Sequence, residues 1–220
     1  LSGDAMQILA YKCLENYQSE IQKKLIKIFN DTALKICEGQ QLDIEFEKLK
    51  DLKFSDYIHM IKYKTAVLLG SSLKMGGIIN NVSETDLKLL YEIGLNLGLA
   101  FQIQDDYLDL FGYEKLIGKK IGGDVINRKK TVMYHVFKDT CSNEASHKLD
   151  QIFHDTEIDD NIKIEKIKTF YQDAEVDLKT KKLSHDYSSK AISCIGDLNI
   201  QSENKNNLLD ISNKLLSRNY

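Results

Sequence analysis

The stretch Phe101–Gly112, FQIQDDYLDLFG, sets three aspartates, Asp105, Asp106 and Asp109, among Phe, Ile, Leu and Tyr. Carboxylates beside a core need a partner, because an ionised group taken from water is costly unless paired or hydrogen-bonded. At about 100° per residue on a helix, Asp105 lies ~60° and Asp109 ~20° to one side of Gln102, with Asp106 ~40° to the other. Gln102 and the three aspartates therefore share one arc, while Phe101, Leu108 and Phe111 point elsewhere. The spacing predicts a helix carrying one compact anionic patch. Carboxylates that close raise each other's pKa unless a cation neutralises them. Oxygen ligands without His or Cys suit Mg²⁺, which keeps several waters and shares its shell with substrate phosphates. A solvated helix face bearing three carboxylates is the plain alternative.

The segment just downstream weighs against that alternative. Gly118–Thr131, GKKIGGDVINRKKT, holds five basic residues and one acid. A polyphosphate bridged by Mg²⁺ satisfies an anionic patch and a cationic loop together, taking metal on one side and lysine or arginine on the other. Gly122 and Gly123 let backbone approach closely. The stretch is not a P-loop: GxxxxGK[ST] is unmatched and no strand precedes it. The non-periodic residues 112–127 are predicted to be a loop.

Upstream, SETDLKLLYEIGLNLGLA reads as the first part of the same helix, with Ser83 as its cap and Asp86 three residues on. One long, mostly buried helix is expected over 85–111, with Asp105 and Asp109 facing a cavity. Gly94 and Gly98 form a GxxxG, which in a water-soluble helix permits close packing. SDYIHMIKYKTAVLLGSSLKMGG predicts a helix capped by Ser55 and ending at Gly76-Gly77; Tyr57 and Met60 share a face with Lys64 and read as core. AMQILAYKCLENY and EIQKKLIKIFNDTALKICEG are amphipathic helices, with Gly39 as a stop. Further helices are predicted near 128–140, 143–155, 161–180, 184–197 and 203–218. Asp159-Asp160 reads as a solvated connector. The coarse result is one all-α domain, 1–220, a bundle of long helices.

Composition agrees. The 220 residues contain no proline, 12 glycines and 42% hydrophobic residues, with a net charge of −3. Few breakers favour long helices, and nothing in the balance points to nucleic acid. No apolar run approaches the ~20 residues that cross a bilayer. Cys13, Cys37, Cys141 and Cys194 are far apart, with no zinc spacing, and read as reduced thiols. The five histidines lack any metal or triad context.

With these residues assembled, GLAFQIQDDYLDLFG…GKKIGGDVINRKKT closely resembles the second aspartate-rich motif of the trans-isoprenyl diphosphate synthases, the farnesyl and geranylgeranyl diphosphate synthases and their longer-chain relatives. CEGQQLDIEFE, the Lys64-Thr65 pair, SGDAM at the start and NLLDISNKLLSRNY at the end resemble other parts of that family. The resemblance implies an all-α bundle around a central apolar cavity, in which isopentenyl diphosphate is joined to an allylic diphosphate. It implies that Asp105, Asp106 and Asp109 hold Mg²⁺, Asp109 through water. It implies that Lys64, Lys119 and Lys129, with its neighbour Lys130, hold the allylic diphosphate, and that Thr65 and Gln102 line the carbocation. A cytoplasmic homodimer is implied too; product chain length is not. The family's first aspartate-rich motif and paired arginine lie upstream of its GDAL segment, where this chain begins, so the expectation is an enzyme represented without its N-terminal third and inactive alone. The alternatives are a non-catalytic diphosphate-binding or regulatory subunit, a related terpene cyclase, and a plain helical scaffold.

Overall fold

The computed structural model describes residues 1–49, 52–112 and 121–217. Among them there are helices and no strand. In chain order these are α1 (Ser2–Leu14), α2 (Ser19–Phe46), α3 (Phe54–Ile61), a π-turn (Lys62–Ala66), α4 (Val67–Ile79), α5 (Glu84–Phe111), α6 (Gly123–Ile126), α7 (Val132–Thr140), α8 (Asn143–His154), α9 (Asp160–Asp173), α10 (Val176–Asp197) and α11 (Ser202–Leu216).

The 28-residue α5 is the axis. Ser83 caps it by accepting the Asp86 N–H at 3.1 Å. Asp86 Oδ1 in turn accepts the Asn199 N–H at 2.8 Å, tying the start of α5 to the turn after α10. The middle of α5 is buried almost all round, with α4 and α10 as its most extensive neighbours. A helix apolar on every side must be enclosed. Leu99, Ile103 and Tyr107 join the larger core with Tyr57, Met60, Val132 and Phe137, while Leu90, Ile93 and Leu97 pack with Ala191, Ile195 and Leu198.

Glycines set how near the neighbours come. A Cβ on Gly94 would lie 2.5 Å from the Gly70 Cα, and one on Gly98 would lie 2.8 Å from the Ala66 Cβ. The GxxxG is thus a helix-packing surface. Gly98→Val is expected to cost about 1–3 kcal/mol through overpacking. Gly76→Ala, whose Cβ would meet nothing within 4 Å, is expected to be neutral or to gain up to about 1 kcal/mol of helix propensity. Urea unfolding of the two variants beside the parent measures both; equal midpoints would refute close packing as the reason for Gly98.

Several boundaries differ from the sequence reading. Gly39 does not stop α2, which continues to Phe46. It is buried where a Cβ would lie 2.7 Å from the Tyr63 carbonyl carbon and 2.8 Å from the Lys64 Cα, so its role is close approach to the π-turn. The helix predicted from Ser55 starts at Phe54, and Asp56 Oδ2 accepts the Lys53 N–H at 3.2 Å. The chain breaks at Glu175, with φ 56°, rather than beyond residue 180. Val176, Thr180, Ser184, Ala191 and Ile195 form one buried stripe along α10, and Ser184 Oγ donates to the Ala100 carbonyl at 3.0 Å, so the polar TKKLSHD stretch stays helical. Asp159 caps α9, accepting the Asn161 and Ile162 N–H groups, where a solvated connector was expected. Within the predicted 112–127 loop, α6 forms a short turn of helix.

Candidate active site

A cavity of about 320 Å³ opens where α2, α3, the π-turn, α5 and the segment Asp124–Thr131 meet. Phe46, Leu52, Met60 and Ile61 supply its apolar wall; Asp43, Lys64, Asp105, Asp124, Lys129 and Lys130 supply charge. It is lined by charged and polar groups as well as apolar ones, because both signs of charge from the motif regions converge on it.

Lys64 and Thr65 sit in the π-turn, a rare local widening that often marks functional sites and that no periodicity announced. Lys64 Nζ pairs with Asp43 Oδ2 at 2.6 Å. The Thr65 hydroxyl donates to Gln102 Oε1 at 2.9 Å. Lys129 Nζ lies 3.9 Å from Asp124 Oδ1, and Lys130 Nζ donates to the Leu49 carbonyl. Lys119 falls outside the described residues.

The three aspartates share the arc expected of them, but neighbouring donors turn their side chains apart. Asp105 is half-buried and lines the cavity. Asp106 is buried: Oδ2 accepts the Tyr57 hydroxyl and the Val132 N–H, and Oδ1 accepts Gln102 Nε2 at 3.0 Å. Burial pushes its pKa up to about 7, against the pull of the Tyr57 and Gln102 bonds and with a further push from the Asp124 charge. Asp109 is buried too. Its Oδ2 accepts the Asp124 N–H at 2.9 Å and its carbonyl accepts the Gly122 N–H at 2.6 Å, fastening the start of α6. Among the described residues no group of three or more His, Cys, Asp or Glu stands close enough to hold a metal ion by itself. The donor set still suits a hard cation, since the charged acceptors are carboxylate oxygens and the described residues of the cavity lining include no His or Cys.

Sequence reasoning passed over three contributors. Tyr57 was read as core, and it is buried, yet its hydroxyl holds Asp106. Its position two helical turns before Lys64, on the same face, was the available signal. Asp43 lies in the CEGQQLDIEFE stretch and partners Lys64. His135 is buried against the Tyr57 ring, with centroids 5.4 Å apart. Burial lowers its pKa to about 4, against a hydrogen bond to the Lys130 backbone.

An all-helical bundle with lysines and aspartates around one cavity defines a class that comparison with known proteins makes specific. The sequence model of the polyprenyl synthetase family matches residues 1–172, and the chain belongs to that family. It is 39% identical over 134 residues to the short chain isoprenyl diphosphate synthase of Methanothermobacter thermautotrophicus, covering 60% of this chain and 41% of that one. It is 36% identical over 148 residues to the geranylgeranyl diphosphate synthase of Sulfolobus acidocaldarius, covering 66% and 45%. The chain thus spans a little under half the length of these relatives. A crystal structure of a geranylgeranyl pyrophosphate synthase superposes with a TM-score of 0.92 at 40% identity, covering all of this chain and 68% of the other. The geranylgeranyl pyrophosphate synthetase of Pyrococcus horikoshii superposes with a TM-score of 0.89 at 27% identity, covering 99% and 66%. No helix among the described residues is long and apolar enough to cross a membrane.

Proposed function

We propose that this chain serves Mg²⁺-dependent prenyl transfer, the head-to-tail joining of isopentenyl diphosphate to an allylic diphosphate that yields a longer trans-prenyl diphosphate. The observation that carries the reading is one cavity holding Asp105, the lysines Lys64, Lys129 and Lys130, and, lining it, Gln102 with the Thr65 hydroxyl bonded to it. Relatives named as isoprenyl and geranylgeranyl diphosphate synthases support it. Residues 1–220 act as one domain, in the cytoplasm and as a homodimer.

The chemistry follows from the residue types. Ionising an allylic C–O bond releases pyrophosphate, and lysine ammonium groups stabilise that developing charge. When bound, Mg²⁺ neutralises the same phosphate oxygens. Asp105 would hold it at the cavity rim, with Asp106 and Asp109 behind that rim. Lys64, Lys129, Lys130 and, in the cationic stretch, Lys119 bind phosphate. Gln102 and Thr65 offer oxygens that stabilise a cation without the nucleophilicity to trap it, and the apolar wall limits water.

Isothermal titration of pyrophosphate tests the reading. Affinity is expected to rise at least tenfold on adding Mg²⁺, and Lys64→Ala is expected to remove most of the heat. Equal affinity with and without Mg²⁺ would overturn it.

A further inference from the structure

We propose that Asp106 and Tyr57 form a positioning pair that sets which way round the Gln102 amide sits, so that oxygen rather than N–H is presented beside Thr65. The geometry stands by itself; its consequence for catalysis rests on the prenyl-transfer reading above.

The two ends of a glutamine amide are almost isosteric, and their neighbours decide which end faces which way. The deciding chain starts at a group that cannot change its role. The Val132 N–H, at the start of α7, can only donate, and it donates to Asp106 Oδ2 at 3.2 Å. The Tyr57 hydroxyl, from α3, donates to the same oxygen. Two donors on Oδ2 pin the carboxylate in the plane that offers Oδ1 to Gln102, one turn earlier on α5. Oδ1 takes Nε2 at 3.0 Å. With its nitrogen engaged there, the amide must present Oε1 to Thr65, which donates at 2.9 Å. The single hydroxyl hydrogen of Thr65 is then used, and its lone pairs are what it has left to offer. Tyr57 is 2% and Asp106 6% exposed, so bulk water has little access to the bond between them.

The orientation matters because an allylic cation is stabilised by oxygen lone pairs and repelled by N–H dipoles. Reversing the amide would place Nε2 where Oε1 now is. It would also make Thr65 an acceptor, with its hydrogen free to turn elsewhere. Asp106 thus acts through Gln102, and Tyr57 acts through Asp106.

The test uses the 15N-labelled 220-residue chain at pH 8 and follows the Gln102 side-chain amide by NMR. In the parent, its Hε2 protons are expected to show cross-relaxation to the Tyr57 ring side and not to the Thr65 methyl. In Asp106→Asn the Val132 N–H forces the asparagine oxygen into the Oδ2 position. The new Nδ2 then faces Gln102, and the Hε2 contacts are expected to move to the Thr65 methyl. Combining Asp106→Asn with Gln102→Glu should restore an acceptor for both neighbours, seen as at least tenfold slower exchange of the Asn side-chain amide than in Asp106→Asn alone. Tyr57→Phe, an isosteric change that reads the pair even where Asp106→Asn folds poorly, is expected to speed exchange of the Gln102 amide about tenfold while the backbone of α5 keeps its protection.

The same samples are titrated with Mg²⁺ and pyrophosphate. Hε2 contacts that stay on the Tyr57 side in Asp106→Asn would overturn the proposal, as would an unchanged exchange rate in Tyr57→Phe. So would a tenfold or greater loss of Mg²⁺-dependent affinity with the amide unmoved, which would return Asp106 to metal binding. A parent that binds no pyrophosphate with Mg²⁺, yet shows the amide reversal, would support the positioning pair and sink the prenyl-transfer reading alone.

Discussion

Replacing Asp105 by alanine is expected to weaken Mg²⁺-dependent pyrophosphate binding by a factor on the order of 100, at the upper end of what removing a metal-site partner costs, while leaving the fold intact. The three aspartates differ in burial. Asp106 receives the Tyr57 hydroxyl, the Val132 N–H and the Gln102 amide, and Asp109 receives the backbone of Asp124. Asp105 is the half-buried one of the three and, like Asp106, lines the cavity. A carboxylate at a rim can share a hard cation with phosphate oxygens and several waters, the coordination Mg²⁺ favours. Asp109→Ala should behave differently: it strands the Asp124 N–H, so it should lower stability and disturb α6 together with binding. Calorimetric titration with and without Mg²⁺, paired with urea unfolding, separates the two. A loss below threefold in Asp105→Ala would remove it from the metal site, and equal loss of stability in the two variants would erase the distinction between rim and buried aspartate.

That division of labour marks where the sequence could be read and where it could not. Apolar period and an N-cap signal placed α5 within a residue of its observed start, and the GxxxG was legible as a packing surface. Periodicity reports which face a residue shares. It does not report which donor arrives at that face from elsewhere in the chain. Tyr57 meets Asp106 across 49 residues, and Asp43 meets Lys64 across 21. A carboxylate cluster on a helical wheel was therefore visible, whereas its dispersal by Tyr57, Val132 and Asp124 was not. Gly39 misled for a related reason. A glycine that ends a helix and a glycine that admits a neighbouring backbone look alike in one dimension, and only the proximity of Lys64 separates them. The break at Glu175 was misplaced because TKKLSHD is polar, though Thr180 and Ser184 are buried against their neighbours within it.

Stability should respond to pH through two buried groups that pull in opposite directions. Asp106 has a folded pKa raised from 3.8 to about 7. The folded state therefore binds its proton more tightly than the unfolded chain, and ionisation costs stability as pH rises from about 4 to 7. At 1.36 kcal/mol per unit, a rise of this size corresponds to at most about 4 kcal/mol. His135 has a folded pKa lowered from 6.5 to about 4. Its neutral form is the one the fold accepts, so the stability it contributes is complete above 6.5 and is lost as pH falls toward 4, about 3 kcal/mol by the same conversion. Between pH 4 and 6.5 the two nearly cancel in the parent, whose own curve understates both. Variants uncover them. The stability of Asp106→Asn relative to the parent is expected to be greatest at pH 8 and to shrink by about 4 kcal/mol by pH 4. The stability of His135→Gln relative to the parent should instead grow by about 3 kcal/mol as pH falls from 7 to 4. Urea unfolding at a series of pH values measures both differences, and other titrating groups drop out because they are common to each pair. Curves that run parallel to the parent from pH 8 to 4 would show that neither group titrates as its surroundings dictate. Curves that diverge in the same direction would mean that the burial of one has been assigned the wrong sign.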